Sequence, residues 1–114
     1  MLSKPNRLKK KKDFERVFKL GKTFKEDFLF FKIAKNHLSP TRFGFVVGKK
    51  VSKKAVVRNK IKRILGEIIR RNITKIKNGF DVVVSVDGRI KTKDQKSIEE
   101  VISKLIKKAK IIND

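Results

Sequence analysis

One run of side chains sets the chemical question: Lys49, Lys50, Lys53, Lys54, Arg58, Asn59, Lys60, Lys62, Arg63 and Arg70. The stretch that holds them, Lys49 to Arg71, has Glu67 as its only carboxylate. Guanidinium and ammonium donors without acidic partners suit phosphate oxygens, because neutralising a phosphate backbone releases counterions and that release supplies affinity. Nothing comparable points to catalysis. His37 is the only histidine and there is no cysteine, so neither a zinc-finger spacing nor a thiol nucleophile can be assembled. Glu99 and Glu100 are adjacent and diverge on a helix. Asp81 and Asp87 flank a predicted strand, within reach of basic neighbours. Gly44, Gly48 and Lys49 superficially resemble a phosphate loop, but the glycines stand one residue too close together and Val51 occupies the place of the required Ser or Thr. The expected catalytic and metal-ligand sets are therefore empty, and no cofactor is expected on the protein.

The element that must position the cations is an amphipathic helix. Val57, Ile61, Ile64, Leu65 and Ile68 recur at helical spacing and make an apolar face. Asn59, Arg63 and Arg70 point the opposite way, with Lys62 and Arg58 on the flank. Ser52 is placed to cap the helix N-terminus, and Asn78-Gly79 to end it.

The whole chain shares this bias. Lys and Arg number 33 against 11 acidic residues, a net charge of +22 over 114 residues. Self-repulsion of that size opposes compaction and favours a polyanionic partner, nucleic acid before an anionic membrane surface. The length suits one domain with one modest core, residues 1–114, with a basic flexible arm over about residues 1–10. With no signal-like apolar segment and no thiols, the expected location is the cytoplasm, and the free protein is expected to be monomeric.

Taken in order, Lys11 to Leu20 reads as a short helix with Phe14, Val17 and Phe18 on one face and Gly21 as its stop. Its phenylalanines fit either of two roles: core, or the lining of a groove where an unpaired base stacks. Residues 28–35 alternate as a strand, Phe28 and Phe30 on one face and Leu29, Phe31 and Ile33 on the other. Residues 36–40 carry turn chemistry, and residues 42–50 form a second strand, the expected hairpin partner. Residues 23–25 add a small edge strand. Phe80 to Val86 is Val-rich and reads as a buried central strand. Strand, long helix and strand in succession imply a parallel pair. Thr92 and Gln95 fit a capping box ahead of a last helix with Ile98, Val101, Ile102, Leu105 and Ile106 inward; its tail is expected to fray from Lys107.

The runs GFVVGKK at 44–50 and AVVRNKIKR at 55–63, together with DFERVFKLGK at 13–22 and FDVVVSV at 80–86, resemble the protein subunit of bacterial ribonuclease P. The resemblance spans about Arg7 to Ala109. It implies an α/β fold of the α+β two-layer kind: a central mixed sheet of about four strands, three helices, and a left-handed βαβ crossover. It also implies an endoribonuclease in which a catalytic RNA, using Mg²⁺, removes the 5′ leader from precursor tRNA. The protein would bind that RNA through Arg58, Asn59, Lys62 and Arg63. Phe14, Phe18, Leu29, Phe31 and, on the neighbouring strand, Val46 match the family's leader-binding groove. Lys60 stands where the motif has its second Arg, which keeps charge but loses bidentate geometry. Gly66 stands where members often carry Arg, and Phe31 where they often carry Tyr. A ribosomal or other structural RNA-binding protein shares the charge and the size; a DNA-binding architectural protein and a membrane-surface binder rank behind it.

Because no catalytic constellation is visible, nuclease-free protein alone is expected to leave precursor tRNA intact, as checked by gel analysis of end-labelled substrate over hours of incubation.

Overall fold

Side-chain alternation along residues 29–35 decides the architecture. In the computed structural model, which describes residues 2–37 and 40–111, strand β2 (Leu29–Lys35) buries Leu29, Phe31 and Ile33 and turns Phe30 and Lys32 to the other side. Helix α1 (Lys11–Leu20) precedes strand β1 (Lys22–Glu26). After β2 come β3 (Arg42–Val46), helix α2 (Ala55–Arg71), β4 (Phe80–Val86) and helix α3 (Gln95–Lys108). The four strands form one mixed sheet in the order β1-β2-β4-β3. β1 with β2 and β2 with β4 are antiparallel, and β3 with β4 is parallel. The hairpin partner of β2 is thus the short β1, not β3. The Val-rich β4 takes the central place between β2 and β3 because Val82, Val83 and Val84 are apolar on both faces.

The main core lies on one face. There Leu29, Phe31, Ile33, Phe43, Val82 and Val84 meet Ile61, Leu65, Ile68 and Ile69 of α2 and Ile98, Val101, Ile102, Leu105 and Ile106 of α3. The apolar stripes of both helices therefore sit where their spacing places them. Phe28 lies in the same core, not beside Phe30; it precedes the strand in a turn that passes through Asp27 at φ 53°, outside the period of two. On the opposite face α1 seats Val17 and Phe14 against Ala34, Val83 and Leu8. β3 stops at Val46, since Val47 and Val51 turn inward to the core and residues 48–51 form a turn.

Local signals were displaced in several places. Ser52 is not the cap of α2: its hydroxyl accepts from the Lys54 N–H at 3.2 Å, ahead of a helix that begins at Ala55. α2 ends at Arg71, before Asn78-Gly79, with the Asn72 side-chain amide donating to the Ile68 carbonyl. Gly21 stops α1 in extended conformation at φ −76°; a Cβ there would lie 2.5 Å from the Val17 carbonyl oxygen. Asp94, not Thr92, caps α3, accepting from the Ser97 N–H at 2.8 Å. The C-terminal stretch stays tied as far as Ile111, which is buried and accepts from the Lys77 N–H. The turn expected at 36–40 falls partly on residues 38 and 39, outside the described residues.

The N-terminal arm is not a flexible tail. Pro5 sits within a single 3₁₀ turn (Lys4–Asn6), Leu2 and Leu8 are buried, and Arg7 bridges Phe43 in parallel along the outer edge of β3. The Leu8 N–H donates to the Phe43 carbonyl at 2.9 Å, and the Asn6 amide to the Thr41 carbonyl. Its two leucines anchor the arm by leaving water, and the arm covers an edge that would otherwise be open to pairing.

Asp81, on β4, is fully buried. Arg42 donates to it twice, at 2.8 and 2.7 Å, Asn36 at 2.9 Å, and Arg16 of α1 completes the cluster. Burial alone would push this carboxyl up, but the hydrogen bonds from Arg42 and Asn36 and the charges of Arg42 and Arg16 outweigh it and hold the group below the usual carboxylate range. A depressed native value contributes stability that is complete above the unfolded value of about 3.9 and is lost as pH falls through the native value. Asp81→Asn should therefore cost about 3 kcal/mol near neutrality, by removing the buried charge that Arg16 and Arg42 share, and should flatten the acid limb of the stability–pH curve. Urea melts between pH 7 and pH 2 check both effects.

Candidate nucleic-acid interface

Two surfaces emerge. The first is the outer side of α2 with its lead-in. Lys49, Lys50, Lys53, Lys54, Asn59, Lys60, Lys62, Arg63 and Arg70 are exposed. No acidic residue stands in the first turn of α2 and no side chain caps it, so its free N–H groups add to the positive field. Among the described residues, the side chains of Lys60, Lys62 and Arg63 have no hydrogen-bonding or ion-pair partner.

Two members of the predicted set are already engaged. Arg70 pairs with Glu67 one turn back, so its charge is partly met within the helix. Arg58 is half-buried, and its Nη1 donates to the carbonyls of Ser52 and Lys53, both at 3.0 Å. It clasps the lead-in loop to the helix and so fixes where Lys49 to Lys54 are presented. Gly66 is buried against Phe45 rather than on the exposed face.

The second surface is the face of the sheet opposite the main core. Strand register lines up Lys25, Phe30, Ser85 and Val46 across β1, β2, β4 and β3, with Thr23, Lys32, Val83 and Gly44 as the next row. α1 lies over the second row. Phe14 sits so close to β3 that a Cβ on Gly44 would come within 2.4 Å of its ring. Phe18 remains 48% exposed, with the Lys32 ammonium 5.9 Å from its ring centroid. The Lys25 ammonium stands 5.4 Å from the Phe30 ring. The first row stays open, and no carboxylate stands in either row.

This geometry corrects the predicted groove. Phe14, Phe18 and Val46 belong to this side of the sheet, whereas Leu29 and Phe31 are wholly buried in the core on the other side. Sequence reasoning missed Phe30 and Lys32. The signal was present: Lys32 cannot face an apolar core, and Phe30 shares its parity.

Among the described residues no cluster of three or more His, Asp or Glu side chains is placed to hold a metal ion. No helix among them is long and apolar enough to cross a membrane.

Solved structures share this fold over most of the chain. The RNase P protein from Thermotoga maritima, solved with 1-(4-fluorophenyl)-2-thiourea, matches with a TM-score of 0.82 and 36% identity over 89% of this chain and 97% of its own. The RNase P protein of Staphylococcus aureus matches with a TM-score of 0.86 and 29% identity over 95% of this chain and 98% of its own. The fold is that of the bacterial ribonuclease P proteins. The sequence profile of the family described as Ribonuclease P matches residues 2–110. A ribonuclease P protein component from Clostridium botulinum (strain 657 / Type Ba4) is 40% identical over 111 residues, covering 96% of this chain and 99% of the relative. One from Alkaliphilus oremlandii is 38% identical over 108 residues, covering 95% and 94%. The chain belongs to the ribonuclease P protein family, whose members are components of a tRNA-processing ribonucleoprotein.

Arg63→Ala is expected to lower affinity for the family's RNA and flatten its salt dependence by about one unit of log–log slope, the signature of one lost phosphate contact. Arg58→Lys keeps the charge, but its ammonium ends short of the Nη1 position that holds both carbonyls, so it should weaken binding while changing the slope far less. Filter binding between 50 and 400 mM salt separates the two.

Proposed function

We propose that this protein holds the catalytic RNA of ribonuclease P through the outer side of α2 and its lead-in, and holds the single-stranded 5′ leader of precursor tRNA on the open sheet face beside α1. Mg²⁺ belongs to the RNA, which performs the cleavage in the cytoplasm; the protein supplies binding and position. The leader groove is Phe14, Phe18, Phe30, Lys32 and Val46. The observation that carries this reading is the parity of β2, which sets Phe30 and Lys32 beside the half-exposed Phe18 in two strand rows without a carboxylate; Asp81, further along the same face, is buried and neutralised by Arg16 and Arg42. Rings with cations between them suit an extended strand: bases stack on any π-face, ammonium groups meet the phosphates, and little sequence is demanded. The ribose 2′-OH offers a further contact that DNA lacks. The cations of α2 lie on a different element, so the structured RNA and the leader do not compete for the same donors.

Reconstitution with the cognate catalytic RNA at low Mg²⁺ tests the reading as a whole: added protein should raise the rate of leader removal. The groove is tested by Phe18→Leu beside Phe18→Ala. Stacking of one base is worth about 1–3 kcal/mol, so either variant should narrow the affinity gap between leader-bearing and mature tRNA about five- to a hundredfold. Phe18 is half exposed, so thermal melting should move little. A wild-type gap in Phe18→Leu excludes ring stacking at this position.

A further inference from the structure

A second concavity opens off the edge of that face and shares only Phe14 and Gly44 with it. It lies between the N-terminal arm and α2, across the outer edge of β3, with a volume of about 540 Å³. That is within the usual range of small-ligand sites, about 300–1,000 Å³. Its floor is apolar: Leu2, Leu8, Phe14, Phe43 and Phe45. Its rim carries Arg7, Lys9, Asn59, Lys62 and Arg63, and no acidic residue lines it. An apolar slot ringed by cations fits a flat, neutral ring system tethered to phosphates. Asn59 adds an amide at the rim that can both donate and accept, and among the described residues its side chain has no partner.

Gly66 is the second observation. It sits in the middle of α2, where glycine costs about 1 kcal/mol against alanine, and its φ requires no glycine. A Cβ there would meet only the Phe45 ring, at 3.7 Å, an ordinary contact. The backbone thus tolerates a side chain; what a larger one would remove is the slot, which Gly66 lines.

We propose that this cleft receives a single base extruded from the structured RNA that α2 holds, with the flanking phosphates on the Arg7, Lys9, Lys62 and Arg63 rim. The assignment rests on the RNA-holding role of α2 proposed above. The occupant is assigned to the structured RNA rather than the leader because three of the five rim residues lie on α2. The slot gives the basic helix a position to recognise, where phosphate contacts alone give only affinity.

The test uses the full chain with adenosine 5′-monophosphate as probe, ribose 5-phosphate as control, and NMR as readout. The nucleotide should shift the amides of Gly44 and Gly66 and the rings of Phe14 and Phe45; the sugar phosphate should shift rim residues alone. Gly66→Leu should abolish the nucleotide-specific shifts and weaken the complex with catalytic RNA, without precursor present, about five- to a hundredfold, the range for one stacked base. Its salt slope should be unchanged, since no phosphate contact is lost. Gly66→Ala guards against a misfolded variant: it should raise Tm by several degrees through helix propensity and still reduce nucleotide binding. Identical shift maps for the two probes, or wild-type RNA affinity in Gly66→Leu, overturn the proposal. So does a loss confined to leader-bearing precursor, which would assign the slot to the leader. Normal stimulation of leader removal by wild-type protein in that event removes the base slot alone; absent stimulation removes the functional reading itself.

Discussion

Everything in this structure depends on containing repulsion. A chain with a net charge of +22 must still bring Arg16 and Arg42 together at one end of its sheet, and it does so around one buried carboxylate. Asp81 joins α1, the end of β2, β3 and β4 at a single point through Arg16, Asn36 and Arg42. Asp13 of α1 adds a longer contact to Arg42 at 3.5 Å. The cluster sets the height of α1 above the sheet. That height determines that Phe14 rests on Gly44 and that Phe18 stops short of burial. A groove wall on this protein is therefore positioned by an ion cluster that engages the same helix at Arg16, between its two phenylalanines.

Much of the fold was legible in the sequence. The stripes of α2 and α3, the span of α1 and the central place of β4 followed from spacing alone, because burial of an amphipathic face overrides most local preference. Strand pairing was less legible. β3 follows β2 in the chain, and chain proximity favours a hairpin, but the opposed apolar faces of β4 draw it between them. Ends of elements were least legible. Ser52 and Thr92 carry real capping chemistry, yet each stands two residues before the cap position actually used, and Gly79 turns the chain well after α2 has ended at Arg71.

The candidate site divides along the same line. The cations of α2 could be read off because every one lies away from an apolar stripe. The groove could not be read in full because both faces of β2 carry large apolar residues, so hydrophobicity alone does not say which face is core. Lys32 breaks the tie, and it places Phe30 on the open face. Arg58 shows a further limit: type and position mark it as a phosphate ligand, whereas its guanidinium is partly spent on two carbonyls of its own loop.

The arm along β3 bears on how copies of this protein coexist. Like charge keeps free molecules apart, but a polyanion that neutralises them would also remove that protection and bring them close. An unpaired outer strand would then be an invitation to share backbone hydrogen bonds between copies. Leu8 and Arg7 already meet that strand at Phe43 from within the same chain, so the protection of the β3 edge is independent of ionic strength and survives neutralisation.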